Sequence, residues 1–238
     1  MSKPEPQLPE HFHPLTDGES FTFACHAGVP CFTECCRELE LALSPYDVLR
    51  LCRQLGISSR EFLDRFAVIE WQPGEAFPRV YLGMVDDGRA SCPFVTGTGC
   101  RVYADRPAAC RTYPLGRGAW QDRTGARHAC YVLLREPHCR GFAEANEQTI
   151  DRWIAGQGLA EFDAANDLLV PLLQHEQVRQ GFRSSAGQRE LYLTTLYDLE
   201  NFRENNADGV REMTDGELLA AAVNRLIRLL FAERSTNS

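Results

Sequence analysis

Residues 23–36 read FACHAGVPCFTECC, and residues 92–114 read CPFVTGTGCRVYADRPAACRTYP. These two stretches hold seven of the ten cysteines of a 238-residue chain. Of the remaining three, Cys139 lies in HCRG, Cys130 in an apolar run and Cys52 in a helical pattern. Packing alone gives no reason for thiols to recur on Gly- and Pro-rich connectors. Convergence on a soft metal does, because thiolate is the preferred ligand of zinc and of iron–sulfur clusters.

Working outward from these stretches, the other use of ten cysteines would be a disulfide framework. The N-terminal MSKPEPQLPEHFHP is Pro-rich and polar and lacks the apolar core of a secretory signal. No apolar run approaches the length of a membrane span. The expectation is therefore a cytoplasmic protein in a reducing compartment, where grouped cysteines read as metal-binding or redox sites. Net charge is −8. Residues 1–140 hold 16 basic and 17 acidic residues, residues 141–238 hold 9 and 16. Neither part has the net basic footprint of a nucleic-acid binder. The acidic C-terminal helices are instead a candidate surface for a protein partner.

The organisation reads as α+β. Residues 1–20 are expected to form a flexible or loosely docked arm, 21–145 a small cysteine-rich metal-binding domain with short β-hairpins and helices, and 146–238 an all-helical region. Ser44, Pro45 and Asp47 announce a helix start, and Gly56 its end. The Ser58/Glu61 pair starts a second helix that buries Phe62, Leu63 and Phe66. Asp86-Asp87-Gly88 marks a hairpin within residues 79–95. A helical turn is expected over Asp105–Ala109, with Asp105 near its N-cap, and a second hairpin turns at Gly125. Helical periodicity covers Thr149–Ala155, Phe162–Leu173, Arg189–Arg203 and Thr214–Glu233.

The candidate metal ligands are Cys25, Cys31, Cys35, Cys36, Cys92, Cys100, Cys110 and Cys139. Four would serve one tetrahedral zinc or one [4Fe–4S] cluster, and eight would serve two. Cys35 and Cys36 are neighbours and face apart in most backbones, so one packs while the other ligates, or they serve two different sites. Cys52 is expected in the core, and Cys130 stays open between ligand and core. His26 and His138 flank candidate ligands and are expected beside the site rather than on the metal. Around the second stretch, Tyr103 and the stem of Arg106 are expected to cover the centre, with the Arg106 guanidinium on Asp105 or a backbone carbonyl. Arg111, next to Cys110, is expected to lower that thiol's pKa. The C-x2-C pairs of zinc ribbons are absent, which tilts the reading toward iron–sulfur.

The C-x3-C-C of residues 31–36, followed by C-P-F and by C-R-V-Y-x-x-R-P-x-x-C-R-x-Y-P, resembles the YkgJ-type cysteine-cluster family. The resemblance covers roughly residues 20–145. It implies a small metal-binding domain, iron–sulfur or zinc; the first reading of its function is a structural, sensory or electron-transfer role. The C-x3-C-C also resembles the cysteine region of flagellin lysine N-methylases, which implies an iron–sulfur methyltransferase as the enzymatic alternative. Against that alternative, Glu38 stands where the radical C-x3-C-x2-C signature needs a third cysteine. A metal-stabilised adaptor is the further alternative.

Overall fold

The structure is a computed structural model that describes Pro9, residues 11–205, Val210 and residues 212–231. In chain order the strands and helices are β1 (Phe12–Leu15), β2 (Ser20–Thr22), α1 (Pro45–Leu55), α2 (Ser59–Phe66), β3 (Ala67–Glu70), β4 (Arg79–Leu82), β5 (Val95–Thr96), β6 (Gly99–Cys100), α3 (Ala108–Thr112), β7 (Leu115–Gln121) and β8 (Arg127–Leu134). They continue with β9 (Glu147–Thr149), α4 (Ile150–Gln157), α5 (Leu159–Asp167), α6 (Val170–Leu173), α7 (Glu176–Arg179), α8 (Ala186–Leu196), α9 (Leu199–Asn205) and α10 (Asp215–Phe231). The class is α+β, with the strands early and the longer helices late.

Local chemistry sets several boundaries. Ser44 caps α1 in a full capping box with Asp47, Pro45 opens its first turn, and Gly56 closes it in the left-handed region at φ 67°. Ser58 caps α2 through the Glu61 amide. Of its three expected core residues only Phe62 is fully buried; Leu63 and Phe66 pack at the edge of the core. Thr214 and Glu217 box the start of α10. The expected end of that helix at Glu233 lies outside the described residues.

Sheet pairing is less local than the sequence suggests. The β7–β8 hairpin turns through Gly125 as expected, pairing Leu115 with Leu133 at one end and Gln121 with Arg127 at the other. The hairpin expected within residues 79–95 is corrected. β4 pairs instead with β3, Val68 opposite Tyr81, and only a single bridge from Val85 to Ser91 closes the Asp86-Asp87-Gly88 turn. Residues 67–70 (AVIE) follow directly on a helix and carry no turn signal of their own, which hid this strand. In the stretch expected to be an arm, β1 docks as an edge strand on β8 and β2 pairs with β9; residues 1–8 and 10 lie outside the described residues.

Two hydrophobic clusters result. The larger joins α1, α2 and β4 to α5, α8, α9 and α10, through side chains such as Tyr46, Leu51, Phe62, Phe162, Leu196 and Leu226. It therefore draws on both sides of residue 145. The smaller gathers Phe21, Phe23, Leu115, Leu133, Ile150, Trp153 and Leu159. Burying such side chains is the main favourable term in holding each body together.

Candidate metal centre

The first cysteine stretch folds as a series of tight turns. Val29 donates its amide to His26, Phe32 to Val29, Glu34 to Cys31 and Cys36 to Thr33. Thr33 sits in the left-handed region at φ 68°, and Glu38 and Ala90 share that conformation at 51° and 45°. Among the described residues these are the non-glycine positions with positive φ, and each lies two residues from Cys35, Cys36 or Cys92. Non-glycine residues hold such conformations only where their surroundings enforce them, and they gather at functional sites.

The second stretch is held against the first. Cys92 donates its amide to the Cys36 carbonyl at 2.8 Å, and Glu38 donates to Ala90 at 2.9 Å. The β5–β6 turn places Cys100 opposite Val95. α3 then carries Cys110, and its start is fixed from below: the Ala108 amide donates to the buried Asp47 carboxylate at 2.8 Å. The expected helical turn thus begins three residues later, with Pro107 as its N-cap. Asp105 ends a separate 3-10 turn and pairs with Arg50 at 2.6 Å.

The third cysteine segment returns Cys139 to the site. Ala24 donates to the Gly141 carbonyl at 3.1 Å, and the Arg140 amide donates to the Cys31 sulfur at 3.1 Å. Gly141 is required by close approach, since a Cβ there would stand 2.6 Å from the Ala24 oxygen and from the Phe23 ring.

The structure thus gathers eight thiols in two adjoining groups. Cys25, Cys31, Cys35 and Cys139 line one cavity with Phe23, Tyr113 and His138. Cys92, Cys100 and Cys110 act on one another electrostatically, and Cys35 also acts on Cys100 and Cys110, which places it between the groups. Cys36 follows it at the Cys92 side. The other two cysteines stay away. Cys52 is buried in α1, as expected, its thiol pushed up to about 12 by burial. Cys130 is not in the core: it is exposed on β8, opposite Gly118.

Burial and the neighbouring thiols favour the protonated, uncharged form in both groups. Burial, then the neighbouring thiols Cys35, Cys31 and Cys139, push Cys25 up to about 11. Burial, followed by Cys92 and Asp47, pushes Cys110 up to about 12. A hydrogen bond with Cys36 and then burial raise Cys35, while burial is the first cause for Cys92, Cys100 and Cys139. Without metal these thiols stay protonated at neutral pH, so metal entry would expel their protons.

Arg106 takes one of its two expected partners, a backbone carbonyl, while Arg111 takes another place than expected. The Cys110 thiol is raised rather than lowered, and Arg111 is not among its main influences. The Arg111 guanidinium turns inward to the carbonyls of Arg106, Gln157 and Ala104, and it packs on the Phe162 ring. Buried carbonyls without other donors attract a five-donor fork more strongly than a nearby neutral thiol does. Arg106 binds the Tyr103 carbonyl at 2.7 Å and the Gln157 side chain, not Asp105, and its positive charge reaches Cys25 and Cys100. Tyr103 stacks on Arg106 at 3.8 Å and is 60% exposed, so it caps the arginine from outside. His26 pairs with Glu144 at 3.3 Å and His138 with Glu136 at 3.7 Å. Tyr113, quoted in the second motif but given no role there, is the residue sequence reasoning missed: its ring packs on Phe23 and its hydroxyl faces Cys139.

The donor set suits a soft metal: eight thiols, with both nearby imidazoles paired to carboxylates. Among the described residues no three Cys, His, Asp or Glu side chains close on one ion-sized point, and the first cavity, about 10 Å³, has room for about one water-sized atom. Any occupant would therefore shift the thiols.

Comparison with protein-family models matches residues 24–140 to the CxxCxxCC family, described as "Putative zinc- or iron-chelating domain". Comparison with curated proteins and with solved structures gave no match.

Proposed function

Residues 24–140 being a domain of that chelating family, we propose that the chain holds two metal centres through four thiolates each and that these fasten its two hydrophobic bodies together. Cys25, Cys31, Cys139 and Cys35 form the first set; Cys92, Cys100, Cys110 and Cys36 form the second. The observation that carries this reading is segregation. Eight cysteines from separate connectors gather in one region, while Cys52 and Cys130 are left out of it. The adjacent pair Cys35-Cys36 supplies one ligand to each set.

Iron–sulfur clusters suit the all-thiolate donors and the aromatic wall of Phe23 and Tyr113. Backbone amides from Phe94 to Cys92 and from Arg140 to Cys31 would stabilise the thiolates. When bound, such a cluster supplies one-electron redox chemistry. The protein's part is to hold the thiolates, screen them with Arg106, and shield them with the aromatic wall. The second reading, zinc in both sets, is favoured by the small first cavity.

The structural role rests on position. Cys92 and Cys100 pack against the larger hydrophobic cluster and Cys139 against the smaller. The connectors between them are turns held by single backbone hydrogen bonds rather than long helices or sheets, so metal–sulfur bonds would add cross-links that the turns alone lack. Removing the metal is expected to speed amide hydrogen exchange in residues 24–36 and 92–114 by at least an order of magnitude, with α10 left protected. Equal protection of both regions before and after metal removal would contradict the role.

A further inference from the structure

Behind the first cysteine group, on the other face of Tyr113, lies a second cavity of about 380 Å³ between α3, β7 and α5. Its volume is in the range of small-molecule sites. Among the described residues Asn166 Oδ1 is a buried acceptor without a hydrogen-bond partner and belongs to the lining of this cavity, while Arg117 Nε approaches Asp163 at 3.6 Å and the Tyr113 hydroxyl faces Cys139. Buried polar atoms are normally satisfied, and an acceptor left without a donor points to a missing partner.

The chemistry of that partner follows from the wall. Arg117 is committed to Asp167 by two bonds of 2.8 Å and reaches Asp163 only at 3.6 Å. Among the described residues no donor hydrogen-bonds the Asp163 carboxylate. Two carboxylates against one guanidinium leave one negative charge in excess. Asp163 and Asn166 are three residues apart on α5, so their side chains neighbour each other on one helix face. Both offer acceptor oxygens lacking a donor. The floor between them is apolar and small, with Ala108, Leu115 and Leu134.

We propose that this cavity binds the protonated amine of a small aliphatic ligand, the ammonium bridging Asp163 and Asn166 and the alkyl stem lying toward Leu115. An ammonium has three donors and one positive charge, which satisfies both acceptors and cancels the excess carboxylate together. Burial without a donor raises the Asp163 carboxyl, the direction a cationic ligand would reverse. The proposal is independent of which metal the cysteines hold, and Tyr113 gives the ligand a shared wall with the first cysteine group.

The test is a ligand-detected NMR titration of the full-length, metal-loaded protein with n-pentylamine, n-pentanol and pentanoate. Saturable sub-millimolar binding of the amine, with the alcohol and the acid at least tenfold weaker, is expected. Asp163→Asn should weaken the amine at least tenfold, and Ala109→Trp, at the exposed rim, should abolish binding while leaving the melting temperature unchanged. Pentanol or pentanoate binding as well as the amine would overturn the proposal, as would undiminished amine binding by either variant. Absence of saturable amine binding to the wild-type chain would overturn it too.

Discussion

Serine in place of Cys139 or Cys110 is expected to remove one metal centre each, leaving about half the metal of the wild-type protein, while serine at Cys130 leaves the full content. Cys139 belongs to the set around Phe23 and Tyr113 and Cys110 to the set around Cys92 and Cys100. Each set has four thiols, and the nearby imidazoles of His26 and His138 lie beside Glu144 and Glu136 at 3.3 and 3.7 Å. A hydroxyl is a poor replacement for a thiolate on a soft metal. Cys130 is exposed on the β7–β8 hairpin. Metal analysis of the three variants beside the wild type reads the result. Full metal in the Cys139 and Cys110 variants, or loss in the Cys130 variant, would mean the ligands are assigned wrongly. The double variant Cys110→Ser/Cys139→Ser should hold no metal.

The largest effect away from the cysteines is expected at Asp47. Its carboxylate accepts from the Ser44 amide at 2.9 Å, the Ser44 hydroxyl at 2.8 Å and the Ala108 amide at 2.8 Å. It is 2% exposed. Alanine there removes half a capping box and leaves a buried amide at the start of α3 with no acceptor. Losing the cap costs ~1 kcal/mol, and the stranded amide costs a further ~1–3 kcal/mol. The combined loss of about 3 kcal/mol should lower the melting temperature by roughly 6–12 °C for a chain of this size. Because α3 presents Cys110, weaker metal retention in the second set should follow. Chemical denaturation of the metal-loaded protein measures the first effect and chelator competition the second. A stability loss under about 1 kcal/mol would show that the Asp47–Ala108 contact does not hold α3 in place.

Which of these features sequence alone could reveal depended on range. Ser44, Pro45, Asp47 and Gly56 define α1 through contacts within a few residues, and the sequence shows them directly. The same holds for Thr214 and Glu217 and for the hairpin at Gly125. The pairing of β3 with β4 escaped because AVIE follows a helix without a turn residue between. The docking of β1 on β8 spans more than a hundred residues and leaves no local mark. In the centre, cysteine spacing separated Cys52 from the clustered thiols. It left Cys130 undecided, since its apolar neighbours fit a half-exposed strand as well as a core one. Asp47 shows the limit most clearly: as a capping residue it was legible, but its second bond, to Ala108, exists only once α1 and α3 are packed. Arg111 shows the converse. Adjacency to Cys110 suggested a partnership, and the buried carbonyls of Ala104, Arg106 and Gln157 took its guanidinium instead.

The measurement that bears most directly on the metal centres is iron, zinc and acid-labile sulfide content, with an absorption spectrum, on full-length protein purified without oxygen. Two four-thiolate cluster sites predict about eight irons and eight sulfides per chain and a broad visible band. A colourless protein with about two zincs would keep both sites and replace the clusters with the second reading. Protein free of metal, with all ten thiols reduced and the fold intact, would contradict the metal centres altogether.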